Sequence, residues 1–323
     1  MKRITKRITL VPLIILLLIV SCGKYPDTKL PNIVLIIGDD HGYPYFGFMG
    51  ADYVKTPNMD QLASSGTLFK NGYVSDNHCR PSLATLVTGM LPIEYNREVE
   101  QMILDKAIVD DNQKKEFSHN AMRHFLTIPK ILKEKGYKSF QGGKWWEFHY
   151  ENGGFDDGMT TGWTKEERKS EGWFRKFMGG YGLELARATM EPVYDFIDKN
   201  IENPFFLWYA PELPHYPFDA PEKYYEIYKD EDMTESAKRY YANCTWFDDG
   251  VGELLDYLKK VGEYENTLFI YVNDNGWEQT PYQEFWNDPM RSHNGGDKGK
   301  LSLFDQSFRT PIIFSWDGMI NRD

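Results

Sequence analysis

Apolar positions along this chain fall into two alternating patterns, and the first appears at Ile33-Val34-Leu35-Ile36-Ile37. This unbroken, mostly β-branched run ends at Gly38-Asp39-Asp40. A run without polar alternation predicts a central strand buried on both faces, as in parallel sheets. Residues 205–209 and 267–272 repeat the pattern, the latter ending at Asn273-Asp274-Asn275-Gly276, and Lys138 to Gln141, just after a helix stop at Gly136, reads as a further strand. Between these runs lie helical signals. Thr56-Pro57 opens a helix that Gly66 stops, Thr127-Ile128-Pro129 opens another that Gly136 stops, and 193–200 reads as a helix end. A threonine N-cap, proline in the first turn and a terminating glycine carry those assignments. Residues 236–260 form the longest predicted helix, with Val251, Leu254, Leu255 and Leu258 on one stripe. Strand–helix alternation of this kind predicts an α/β fold with a mostly parallel central sheet sandwiched by helices. The Gly-, charge- and aromatic-rich segment 151–183 reads as a surface excursion.

The N-terminus departs from this grammar. Lys2, Arg3, Lys6 and Arg7 precede an apolar run from Leu10 to Val20, interrupted by Pro12 and short for a membrane span. Residues 1–21 therefore read as an export signal. The run closes in Ile19-Val20-Ser21-Cys22-Gly23, which resembles the lipobox of bacterial lipoproteins. That resemblance implies a lipid on Cys22, a tether over 22–30, and attachment to a membrane of the bacterial cell envelope, periplasmic or at the cell surface. Each buried CH₂ of such a lipid contributes ~0.8 kcal/mol. An uncleaved anchor and a secreted soluble form are the other readings of the same segment.

Charge narrows the choice of partner. The chain of 323 residues carries a formal charge of −11, and loss of the four basic side chains in 1–21 takes it to −15. Such a surface argues against nucleic acid, which needs clustered Lys and Arg. An anionic substrate needs a local cationic pocket working against the global field. The three cysteines, Cys22, Cys79 and Cys244, make no disulfide framework. Cys244 reads as a small buried residue of the long helix.

Open parallel sheets place their chemistry beyond the carboxyl ends of the strands. Two strands here end in Asp39-Asp40 and Asp274-Asn275. Adjacent carboxylates repel unless a cation sits between them, and oxygen-only donors suit Ca²⁺ or Mg²⁺ rather than zinc. Turns are rich in Asp and Asn in any case, so each pair alone is weak evidence of a metal.

The stretch Cys79-Arg80-Pro81-Ser82-Leu83-Ala84-Thr85-Leu86-Val87-Thr88-Gly89 resembles the signature of the formylglycine-dependent sulfatases, Cys-x-Pro-Ser-Arg followed by a helix closing in Thr-Gly. Five further blocks stand in the family's order: Asn32 to Gly42, Gly143-Lys144-Trp145, Pro214-His215-Tyr216-Pro217, Asp274-Asn275-Gly276, and Lys300 followed by Arg309-Thr310-Pro311. The resemblance spans 31–314 and implies the alkaline phosphatase superfamily fold, with 31–323 as the catalytic domain. It implies a metal site of Asp39, Asp40, Asp274 and Asn275 for Ca²⁺, with Mg²⁺ as second choice. It implies that a formylglycine-generating maturation enzyme oxidises Cys79, that Lys144 and Lys300 hold the sulfate, and that His215 assists at the leaving-group oxygen. The substrate class implied is a sulfated glycan or related sulfate ester.

Two positions depart from the family pattern. Leu83 stands where the family has the signature arginine, and Trp146 replaces a histidine that contacts the nucleophile. Arg80 is no simple substitute for the arginine, because i+1 points about 100° away from residue i on a helix. His149 lies near Trp146 in sequence. Family members also continue past the Arg-x-Pro strand into a C-terminal subdomain, for which nothing follows Asp323 in this sequence. These features keep open a catalytically inactive, sulfatase-like lipoprotein that binds sulfated ligands. A phosphoryl hydrolase of the same superfamily needs a Ser or Thr nucleophile and extra Asp and His zinc ligands.

Overall fold

The computed structural model describes residues 29–277 and 298–320. Residues Pro31–Asp323 form one compact unit. The predicted signal 1–21 and the acylation candidate Cys22 lie outside the described residues. Among those described, no helix is long and apolar enough to cross a membrane.

Seven strands form one sheet in the order β2-β7-β6-β1-β5-β3-β4. They are β1 (Asn32–Gly38), β2 (Thr67–Tyr73), β3 (Lys138–Gly143), β4 (Asp157–Gly158), β5 (Phe205–Ala210), β6 (Thr267–Asn273) and β7 (Arg309–Ser315). The strands β4, β3, β5, β1 and β6 run parallel, while β7 is antiparallel to both β6 and β2. The three strands read from the apolar runs, together with the strand read at Lys138 to Gln141, occupy the middle of this sheet. Ile33 pairs with Phe206 on one side and with Leu268 on the other, so β1 is central and its side chains are buried on both faces.

Two apolar clusters cover those faces. One gathers Val34, Ile36, Leu207 and Phe269 under the long helix Glu235–Lys260, which contributes Val251, Leu254, Leu255 and Leu258. The other gathers Leu35, Ile37, Phe206 and Trp208 with Leu83, Ala84 and Val87 of the helix Cys79–Thr88. Burial of a side chain of this size contributes ~1.5–3 kcal/mol. The predicted helix after Thr56 runs Pro57–Ser64, but its threonine does not cap it. The buried carboxylate of Asp248 on the long helix accepts from Asn58 N (3.0 Å) and Met59 N (2.8 Å) instead. Cys244 is fully buried in the same long helix.

Candidate active site

The site forms where β1 and β6 end side by side. Beyond β1, Asp39 N donates to Leu213 O (3.0 Å), and Asp274 N donates to Gly38 O (2.9 Å). These bonds bring the loop after β5 and the end of β6 against the Asp39-Asp40 pair. Asp40 adopts φ = 57°, a left-handed conformation uncommon for a residue with a side chain. The turn is held from outside: Tyr240 Oη donates to Asp40 O (2.9 Å) and accepts from Gly42 N (3.0 Å). As a result Asp39 and Asp40, though adjacent, meet different lysines.

Lys144, just past β3, places Nζ at 2.6 and 2.7 Å from the two Asp39 oxygens. Lys300 places Nζ at 2.7 and 2.9 Å from those of Asp40, and 3.0 Å from Cys79 Sγ. Cys79 is the first residue of its helix, where unpaired N–H groups favour anions. Its sulfur lies 3.8 Å from Asp40 Oδ1. Asn275 Nδ2 donates to that same oxygen (2.7 Å), and Asp40 N donates to Asp274 Oδ1 (3.0 Å). His215 Nε2 is 3.6 Å from Asp40 Oδ2. All eight residues singled out from the sequence thus converge on one cluster centred on Asp40.

The buried charges of the cluster shift one another's ionisation. Burial pushes the Asp39 carboxyl up to about 6 against the pull of Lys144. Burial also opposes ionisation of Asp40, but Lys300, His215 and Lys144 together hold it below the usual carboxylate range. Asp274 is raised by burial. The thiol of Cys79 is raised by burial despite both lysines. His215 is lowered to about 4, by burial first and then by Lys144.

Oxygen donors for a cation are present. Donor atoms of Asp39, Asp40, Cys79 and His215 lie within 4.8 Å of one another. Asp274 Oδ2 and Asn275 Oδ1 are buried and accept no hydrogen bond among the described residues. Leaving a buried acceptor unpaired costs ~1–3 kcal/mol, which a bound cation removes. The residues fit a hard divalent ion.

The departures from the family pattern have structural counterparts. Leu83 is 4% exposed and packs in the apolar cluster between helix and sheet. Arg80 does not face the cysteine: its Nε and Nη2 bind the two oxygens of the buried Glu147 at 2.9 and 3.0 Å. Trp146 lies with its ring centroid 5.5 Å from Lys144 Nζ, so an aromatic face flanks the lysine. His149 does not reach the cluster; its Nδ1 accepts from Glu151 N (3.3 Å).

Two supports were not read from the sequence. Tyr240 holds the Asp40 turn, yet in sequence it is one aromatic residue among many on a long helix. Arg187 fastens the His215 loop by donating to Glu212 O (2.9 Å), His215 O (3.1 Å) and Pro217 O (3.2 Å). It lies in an irregular stretch with no motif around it.

An α/β sheet of this order carrying lysines, carboxylates and a cysteine at its strand ends is the architecture of the alkaline phosphatase superfamily. The sulfatase family model matches residues 31–322, and the chain belongs to the sulfatase family. It is similar to N-acetylgalactosamine-6-sulfatase of Canis lupus familiaris, 29% identical over 94% of this chain and 61% of that protein. Human N-acetylgalactosamine-6-sulfatase is 28% identical over 90% of this chain and 58% of that protein. The chain thus spans about three-fifths of the length of these curated relatives. Among solved structures, i-CgsB in complex with k-i-k-neocarrahexaose superposes with a TM-score of 0.65 at 25% identity, over 91% of this chain and 67% of that one.

Proposed function

We propose that this protein hydrolyses sulfate esters of glycans, with Cys79 as the precursor of a formylglycine nucleophile and with Asp39, Asp40, Asp274 and Asn275 holding Ca²⁺. The observation that carries the reading is the pairing of two cluster lysines with a buried, oxygen-rich site around Cys79. Relatives named for a glycan sulfatase and a neighbour solved with neocarrahexaose support the substrate class.

Charge supports sulfate in particular. Asp39, Asp40 and Asp274 against Lys144 and Lys300 leave the cluster with one net negative charge when all are ionised. A divalent ion reverses that to one net positive charge, matching the single charge of a sulfate monoester. A bound cation supplies neutralisation at the sulfate oxygens and acidity at the attacking hydroxyl. Formylglycine, as its hydrate, supplies the oxygen that attacks sulfur. The residues of the chain do the rest. Lys144 and Lys300 bind sulfate oxygens, releasing the carboxylates they hold now. The Trp146 face beside Lys144 excludes water from one flank. His215 directs Nδ1 at Tyr216 O, leaving Nε2 as the atom that exchanges a proton with the leaving-group oxygen. Arg187 keeps that loop in place.

Sulfate release from sulfated glycans, compared between the native chain and Cys79→Ala, tests the reading; equal release by both overturns it. We further propose that a lipid on Cys22 holds the protein at the cell envelope. Cys22→Ser is then expected to move it from the membrane to the soluble fraction, and unchanged membrane recovery contradicts the anchor.

A further inference from the structure

The segment 151–183, which the chemistry at the strand ends does not use, builds one wall of a cleft of about 520 Å³. Trp163, Phe148 and His119 line it together with Arg123, Lys165 and Arg168. We infer that this cleft is a second subsite, binding an anionic sugar unit of the same glycan whose sulfate ester lies at Lys144 and Lys300. The inference rests on the hydrolase reading for the position of the reacting sulfate.

Continuity with the main site comes first. Lys144 Nζ lies 5.5 Å from the Trp146 ring, Trp146 lies 5.0 Å from Phe177, and Phe177 lies 5.0 Å from His119 and 5.8 Å from Trp163. An unbroken aromatic ridge therefore leads from the sulfate lysine to the cleft. Phe148 and Trp173 pack edge-on to Trp163, at 4.6 and 5.0 Å, and hold its indole in position. Rigid rings of this kind present apolar area to the CH faces of a pyranose at little entropic cost.

Charge selects an anionic sugar. Arg123 is held by the amide oxygens of Asn120 and Asn152 (2.7 and 2.9 Å), and Arg168 lies over the Trp173 ring (5.5 Å). Neutral partners orient both cations without cancelling them, and Lys165 is exposed beside them. One carboxylate, Glu116, shares the lining. His119 reports the balance: burial and then the charges of Arg80, Arg168 and Lys115 lower it to about 4, leaving a neutral imidazole in a positive field. On a chain of formal charge −11 a lining with three cations and one carboxylate is locally positive. The main site takes one sulfate; the cleft gives the enzyme a reason to prefer an oligosaccharide.

The test is calorimetric titration of the full chain carrying Cys79→Ala, so that bound sugar is not consumed. The probes are chondroitin 6-sulfate, carrageenan and heparin hexasaccharides, hyaluronan hexasaccharide (carboxylates without sulfate), and N-acetylgalactosamine 6-sulfate. At least one sulfated hexasaccharide is expected to bind more tightly than the monosaccharide. Trp163→Ala, and separately Lys165→Gln with Arg168→Gln, are expected to weaken that binding roughly tenfold and to leave the monosaccharide unchanged. Hyaluronan binding that is lost in the same variants assigns the subsite to carboxylates; hyaluronan that fails to bind assigns it to sulfate. Hexasaccharide affinity equal in parent and variants overturns the subsite, as does equal loss for the monosaccharide, or failure of every anionic hexasaccharide to bind. The hydrolase reading fails separately, when hexasaccharide binds yet the native chain releases no sulfate.

Discussion

The ammonium of Lys300 stands 3.0 Å from the sulfur of Cys79 and 2.7 Å from Asp40 Oδ1, bridging the nucleophile position and the acidic pair at the end of β1. A family arginine is missing one helical turn after the cysteine, where Leu83 is buried in apolar surroundings. Among the described residues Lys300 is the cation in hydrogen-bond contact with Cys79, with Lys144 acting on the same thiol from beside Asp39. Lys300→Ala is expected to lower sulfate release by ~10²–10³-fold, the usual effect of removing one positioned donor. The melting temperature checks that the fold persists. Activity within a few-fold of the native chain would refute this role.

The buried oxygens Asp274 Oδ2 and Asn275 Oδ1 lead to a stability prediction. Calcium at about 100 times its Kd contributes ~2.7 kcal/mol if it binds only the folded state. The melting temperature is thus expected to fall on EDTA treatment and to recover with Ca²⁺. Asp274→Asn is expected to blunt the response. A transition unmoved by both additions contradicts the metal assignment.

Arg80 and Glu147 make a separable structural prediction. Glu147 is almost fully buried, so Arg80→Met leaves a carboxylate without its cation. Removing one partner of a buried pair costs ~3–5 kcal/mol, and the partial exposure of Arg80 puts the expected loss at the lower end. Replacing both residues with methionine is expected to restore most of the stability. Denaturant unfolding of the two single variants and the double variant measures this. Additive losses would show that the pair does not couple.

Strands β1, β5 and β6 were legible because they are buried on both faces, and burial writes itself as unbroken apolar runs; β3 is as buried but reads Lys-Ser-Phe-Gln-Gly-Gly, so only its place after a helix stop marked it. The edge strand β2, with the sequence Thr-Leu-Phe-Lys-Asn-Gly-Tyr, left no such signal because most of its side chains are partly or fully exposed. The helices Pro92–Asp105 and Asp111–Asn120 were missed for a related reason: the first buries only Tyr95 and Val99, the second nothing. The eight candidate residues came from motifs that resemblance supplied, and the fold brings all eight together. What sequence could not supply was the support. Tyr240 and Arg187 act through bonds to backbone atoms far away in the chain, and no local pattern records a partner two hundred or twenty-eight residues distant. The capping of the helix Pro57–Ser64 by Asp248, rather than by Thr56, is the same kind of event.

The nucleophile itself is the point on which the whole account turns, and one mass measurement reaches it. Full-length protein is produced in a host with working formylglycine maturation, and the tryptic peptide 71–97, which contains Cys79, is weighed. The account predicts the aldehyde or its hydrate in place of the thiol, in spite of Leu83, in the same preparation that releases sulfate from a sulfated glycan. An unmodified Cys79 thiol in preparations that nevertheless release sulfate would contradict it, as would a fully unmodified peptide together with no release at all.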